Sequence, residues 1–111
     1  MDKPEDEWIT PMKPRDKLLW CAGKLINGDR QGEYGPPVEN HKRIAKIWSA
    51  ITGVDYAPET VAAMMIGLKL ARLGERTDHM DSWVDIAGYA ALGWEMHESQ
   101  EGARGQKKNM A

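Results

Sequence analysis

The chain has 111 residues, 41% hydrophobic and 29% charged, which is enough for one modest core and too little for a second. Fifteen Lys and Arg against 17 Asp and Glu leave a net charge of −2, without the basic excess that a dedicated DNA-backbone binder requires. A lone cysteine, Cys21, excludes an internal disulfide and a cysteine-built zinc site.

Residues 1–13 hold Pro4, Pro11 and four acids with little apolar periodicity, and read as a flexible arm. They contain no apolar h-region of a signal peptide, and no run in the chain approaches the roughly 20 apolar residues of a membrane helix. The expectation is a cytoplasmic protein that makes no membrane contact. Residues 14–101 form the expected helical domain, and the polar, glycine-containing stretch 102–111 reads as a disordered tail.

Turn signals divide the domain into four intervals of 12 residues or more, which favours helices over strands. The first helix is expected over about residues 15–26, with Leu18, Leu19, Ala22, Leu25 and Ile26 as its stripe and Gly28 as a left-handed stop. The second starts near Pro37, buries Ile44, Ile47, Trp48 and Ile51, and stops at Gly53. The third starts at Pro58 with Glu59 at the positive end of the dipole, buries Val61, Met64, Met65, Leu68 and Leu73, and ends at Gly74. The fourth takes Asp78 as N-cap and runs to about Ser99, with Val84, Ala87, Ala91 and Trp94 on one face. Gly88 and Gly93 each cost this helix roughly 1 kcal/mol, which close helix packing or a ligand would offset. The fold class is therefore all-α, a small four-helix bundle. One apolar stripe on each short helix makes a homodimer or higher homo-oligomer the expected state.

Several polar groups have spacings that suit chemistry. Asp81, Asp85 and Tyr89 are four apart and share a helix face. Two carboxylates so placed want a positive partner, which is either Mg²⁺ or a basic side chain such as Lys69 or Arg72 on the third helix. An inter-helix salt-bridge cluster explains the same pattern. The loop from Gly28 to Pro36 offers Arg30 and Tyr34 just before a helix N-terminus, where a phosphate and a base would be met, and it reads equally as a structural turn. Asn40 and Arg43 follow on the next helix, with Asn40 as a base or ribose contact or the two as part of a solvated face. His41, His79 and His97 show no metal-ligand spacing and read as surface residues, and Cys21 and the Met64-Met65 pair read as core.

The strings Gly28-Asp29-Arg30, Tyr34-Gly35, Glu39-Asn40, Ile44-Ala45, Trp48-Ser49, Ala63-Met64-Met65, Lys69-Leu70-Ala71-Arg72 and Asp81 through Tyr89 resemble a small helical domain of phage and prophage genomes, of unknown function. The match spans about residues 15–98 and implies a protein working in a bacterial host. A more distant similarity is to MazG-like all-α nucleoside triphosphate pyrophosphohydrolases, which hold Mg²⁺ with a Glu-x-x-Glu pair and a later Glu-x-x-Asp pair. Asp85-Ile86-Ala87-Gly88-Tyr89 resembles the second element, with Ser82 where its Glu would stand. Lys69 and Arg72 occupy the place of the first acidic pair. The resemblance implies a nucleotide-handling domain with Asp81 and Asp85 as metal-binding and catalytic residues. Arg30, Lys69 and Arg72 would then meet phosphate, and Tyr34, Asn40 and Tyr89 would line the ligand. It leaves two alternatives, a nucleotide or cyclic-nucleotide binder without turnover and a small oligomeric adaptor.

Overall fold

A computed structural model describes residues 12–29 and 36–110, with side chains described at 12–28 and 36–99. Among these residues there are four α-helices and no strand. They are α1 (Pro14–Lys24), α2 (Pro37–Thr52), α3 (Pro58–Glu75) and α4 (Met80–Met110). Proline opens α1, α2 and α3, where its missing N–H is unneeded and its fixed φ suits the first turn. The preceding residues Lys13, Pro36 and Ala57 are extended, as a residue before proline must be. None of the three helices has a side-chain N-cap. Asp16, Glu39 and Glu59 instead face the positive dipole ends.

The expected stop at Gly53 is present, with φ at 76° and its N–H bonded to the Ser49 carbonyl. Gly28 behaves otherwise. It is not left-handed, and α1 passes into a single π turn over Leu25–Asp29 while Asn27 Nδ2 donates to the Gly23 carbonyl at 2.8 Å. Asp78 is not the cap of α4. Its carboxylate accepts two bonds from Arg76, at 2.8 and 3.2 Å, and that guanidinium holds the carboxyl below its ordinary range. The first turn of α4 is instead closed by Ser82 N–H on the His79 carbonyl, and its backbone stays helical beyond Ser99 to Met110.

The most extensive contact joins α3 to α4, with α1 laid on α4 and α2 on α3. Ala62, Leu92 and Met96 form the central cluster, flanked by Ile26 and Val38. Gly88 and Gly93 of α4 sit where another helix or turn comes close. A Cβ at Gly88 would lie 3.1 Å from Ile26 Cγ2, and one at Gly93 would lie 3.4 Å from the Ala62 Cβ.

The sequence-read apolar stripes are only partly inside. Ile47 and Ile51 on α2 are exposed, as are Met64 and Leu68 on α3, Trp94 on α4 and Leu19 on α1. α2 turns His41 and Ala45 inward instead, so His41 is a buried histidine and not a surface one. Cys21 is half-buried. α2 thus buries a histidine and an alanine while the larger Ile47 and Ile51 stay outside.

Gly88→Val should destabilise the protein by about 1–3 kcal/mol through overpacking against Ile26. Gly93→Ala, which only makes an ordinary contact with Ala62, should stabilise it by up to about 1 kcal/mol through helix propensity. Urea unfolding of the two variants beside the wild type checks both signs.

Candidate functional site

Helix α4 sets Asp81, Asp85 and Tyr89 on successive turns, and α3 sets Lys69 and Arg72 one turn apart. The structure brings Lys69 and Asp85 together. Lys69 Nζ stands 3.0 Å from Asp85 Oδ2, with both side chains only 17–18% exposed. That burial raises the pair above an ordinary surface bridge and ties α3 to α4. Asp81 and Arg72 are exposed, and neither forms an ion pair among the described residues. Among those residues, no three His, Cys, Asp or Glu side chains gather as a metal-ligand set. Arg30 and Tyr34 lie outside the described residues.

Tyr89 is half-buried and meets the His41 ring edge-on, with centroids 5.7 Å apart. His41 Nδ1 lies 2.9 Å from the Pro37 carbonyl and must donate to it, because a carbonyl only accepts. In the neutral ring Nε2 then carries the lone pair, and this buried nitrogen has no hydrogen-bond partner. Asn40, one residue earlier, is half-buried.

A groove of about 780 Å³ runs along the other side of α2. Its wall carries Lys42, Arg43 and Lys46, with Tyr56 and Asp55 beyond the end of the helix. Lys42 Nζ is 3.4 Å from Glu39, a solvent-exposed pair, whereas Arg43 and Lys46 make no ion pair among the described residues. Ser49 fixes the far end. Its hydroxyl donates to the Ala45 carbonyl at 2.7 Å and accepts the Tyr56 N–H at 2.9 Å. The Tyr56 ring in turn stands edge-on to Trp48. Sequence reading named Arg43 on this helix without giving it a ligand role and missed Lys42, Lys46 and Tyr56. The signal was present in the basic residues at positions i, i+1 and i+4 of one helix.

A smaller hollow of about 360 Å³ lies between α3 and α4, floored by Ala62 and Gly93. His97 Nδ1 and Glu59 Oε2 approach to 2.6 Å at its rim, and the Trp94 ring stacks on His97. Nothing in the sequence marks that contact, because the two residues are 38 positions apart.

The family model of a domain of unknown function, DUF6378, matches residues 17–97. The Gene 55 protein of Mycobacterium phage L5 is 51% identical over 76 residues, covering 68% of this chain and 49% of the phage protein. The Gene 55 protein of Mycobacterium phage D29 is 40% identical over 75 residues, covering 68% of this chain and 50% of that protein. The chain thus spans about half the length of the curated relatives it matches. No solved structure matches it.

If the Lys69–Asp85 pair is a seam contact, Lys69→Ala and Asp85→Ala should each cost about 1–3 kcal/mol, since each strands a half-buried charge. The double variant Lys69→Met/Asp85→Leu should cost less than the two single changes together. A double-mutant cycle by chemical denaturation measures the coupling, and additive effects would show that the two groups do not interact.

Proposed function

The chain belongs to the DUF6378 family, with relatives in mycobacteriophages, and on that premise we propose that it is a phage nucleotide-binding protein that grips phosphate without hydrolysing it. The observation that carries this reading is the α2 groove, where Arg43 and Lys46 stand without ion-pair partners beside the Tyr56 ring. Its volume falls within the roughly 300–1,000 Å³ of small-ligand sites. A guanidinium offers phosphate a planar fork, and an ammonium adds a point charge. Tyr56 supplies an aromatic face or edge for a base. Glu39 and Asp55 at the borders leave three cations against two acids, a modest positive balance suited to a small anion.

The pairing of Asp85 favours binding over turnover. A MazG-like pyrophosphohydrolase would hold Mg²⁺ on Asp81 and Asp85, and metal-assisted cleavage of a pyrophosphate needs several carboxylates to balance the ions. Here the Asp85 carboxylate is already neutralised by Lys69 across a half-buried seam. Recruiting it for a metal would strand the ammonium. The adaptor reading has no comparable observation in the polar groups.

Calorimetry against ribo-, deoxyribo- and cyclic nucleotides, with Mg²⁺ or with EDTA, tests the proposal. Binding should persist in EDTA, and Arg43→Ala and Lys46→Ala should each weaken it about tenfold, the loss of one charge-assisted contact. No pyrophosphate should be released. Failure of every nucleotide to bind would overturn the reading. Pyrophosphate release abolished by Asp85→Asn would replace it with the hydrolytic one.

A further inference from the structure

The most amphipathic of the described helices presents much of its apolar row to solvent. On α2, Ile47 is 50% exposed and Ile51 is 75% exposed, with Val54 exposed just past the helix end. At about 3.6 residues per turn Ile47 and Ile51 fall on the flank opposite Lys42 and Lys46, so they do not belong to the groove. On α3, Met64 and Leu68 are likewise exposed, one turn apart and opposite the buried Leu73. A five-residue connection, 53–57, joins the two helices, and they pack on each other, so one hairpin carries both rows.

We propose that a second copy of this chain covers this hairpin face. Three observations select that occupant. The first is area. The five side chains leave on the order of 500 Å² of apolar surface in water. That is about the apolar share of the roughly 800 Å² that each partner gives to a standard stable interface. The second is the size of the core. Among the described residues the buried apolar set is Ala22, Ala45, Val61, Ala62, Leu73, Val84, Leu92 and Met96, so three of the eight are alanines. A core that small needs its cover in every molecule at all times, and the partner always present at equal concentration is another copy. The third is charge. Ile44, Ile47 and Ile51 form an uncharged row on α2, with Arg43 one turn before Ile47 at its edge. Pairing the row with itself about a two-fold axis sets apolar against apolar and leaves like charge only at the rim. Lys42 and Lys46 stay open on the opposite flank.

Sedimentation equilibrium of the full chain at micromolar concentration should give twice the chain mass, and the thermal midpoint should rise with concentration. Ile51→Lys alters a three-quarters exposed side chain and should raise the dimer dissociation constant tenfold or more, about 1.4 kcal/mol or above. Helical circular dichroism should be kept. Ile51→Ser is the gentler variant should the lysine disturb folding, and it should weaken the dimer in the same direction. Lys46→Ala, on the other flank, should leave the mass unchanged. A wild-type chain that sediments as a monomer overturns the proposal, and so does a dimer that both Ile51 variants leave at full strength. Either result leaves nucleotide binding at the groove intact, because that is read by calorimetry on a separate face.

Discussion

The close approach of α3 and α4 sets the terms for the rest of the molecule. Ala62 meets Gly93, and Gly88 takes the Ile26 methyl, so the backbones come together over small residues. Close packing recovers dispersion energy, and it also limits how much apolar area each position removes from water. Leu92 and Met96 fill what space is left. The larger hydrophobic side chains have no room in this seam and are displaced to the outer faces of α2 and α3. A tight seam and a surplus of exposed isoleucine, leucine and methionine are two consequences of one choice of residue sizes.

The charges divide along the same line. Lys69 and Asp85 face each other across the seam with less than a fifth of each side chain exposed, and each offsets the cost of burying the other. Arg43 and Lys46 stand on a wall that water reaches, without acidic partners among the described residues. A half-buried ammonium without its carboxylate would be costly, so the seam pair is tied to the fold. Cations on an open groove cost little to leave unpaired and remain available to an anion. The physical distinction between a structural charge and one left open to solvent here is desolvation, and residue type does not reveal it.

This explains what the sequence disclosed. Helix number, the proline starts of α2 and α3, the Gly53 stop and a cost at Gly88 and Gly93 that close packing or a ligand would offset were legible, because each is local backbone chemistry or a penalty that demands an explanation. The partnership of Lys69 with a carboxylate of α4 was legible as one of two alternatives, since spacing places like charges on a face without showing what lies opposite. Which face of α2 points inward was not legible. Periodicity ranks the isoleucine row as the most apolar face, and that remains true, but Ile47 and Ile51 on that side stay exposed. His41 shows the same limit. Its burial follows from sharing a helix face with Ala45, a fact about packing that no property of histidine announces. Glu59 and His97 meet only because α3 and α4 run side by side.

The exposure of the isoleucine row is held in place by local bonds at the end of α2. Ser49 accepts the Tyr56 N–H, Thr52 accepts the Val54 N–H at 3.2 Å, and Gly53 closes the helix in a left-handed turn. Together they fix how the chain leaves α2 and therefore how far the helix is rotated about its axis. Turning the helix to bury Ile47 and Ile51 against α3 would break the Ser49–Tyr56 bond and draw Tyr56 away from Trp48. It would also swing Lys42 and Lys46 out of line with Tyr56 and dismantle the groove. One rotational setting thus keeps a cationic wall on one flank and an apolar row on the other.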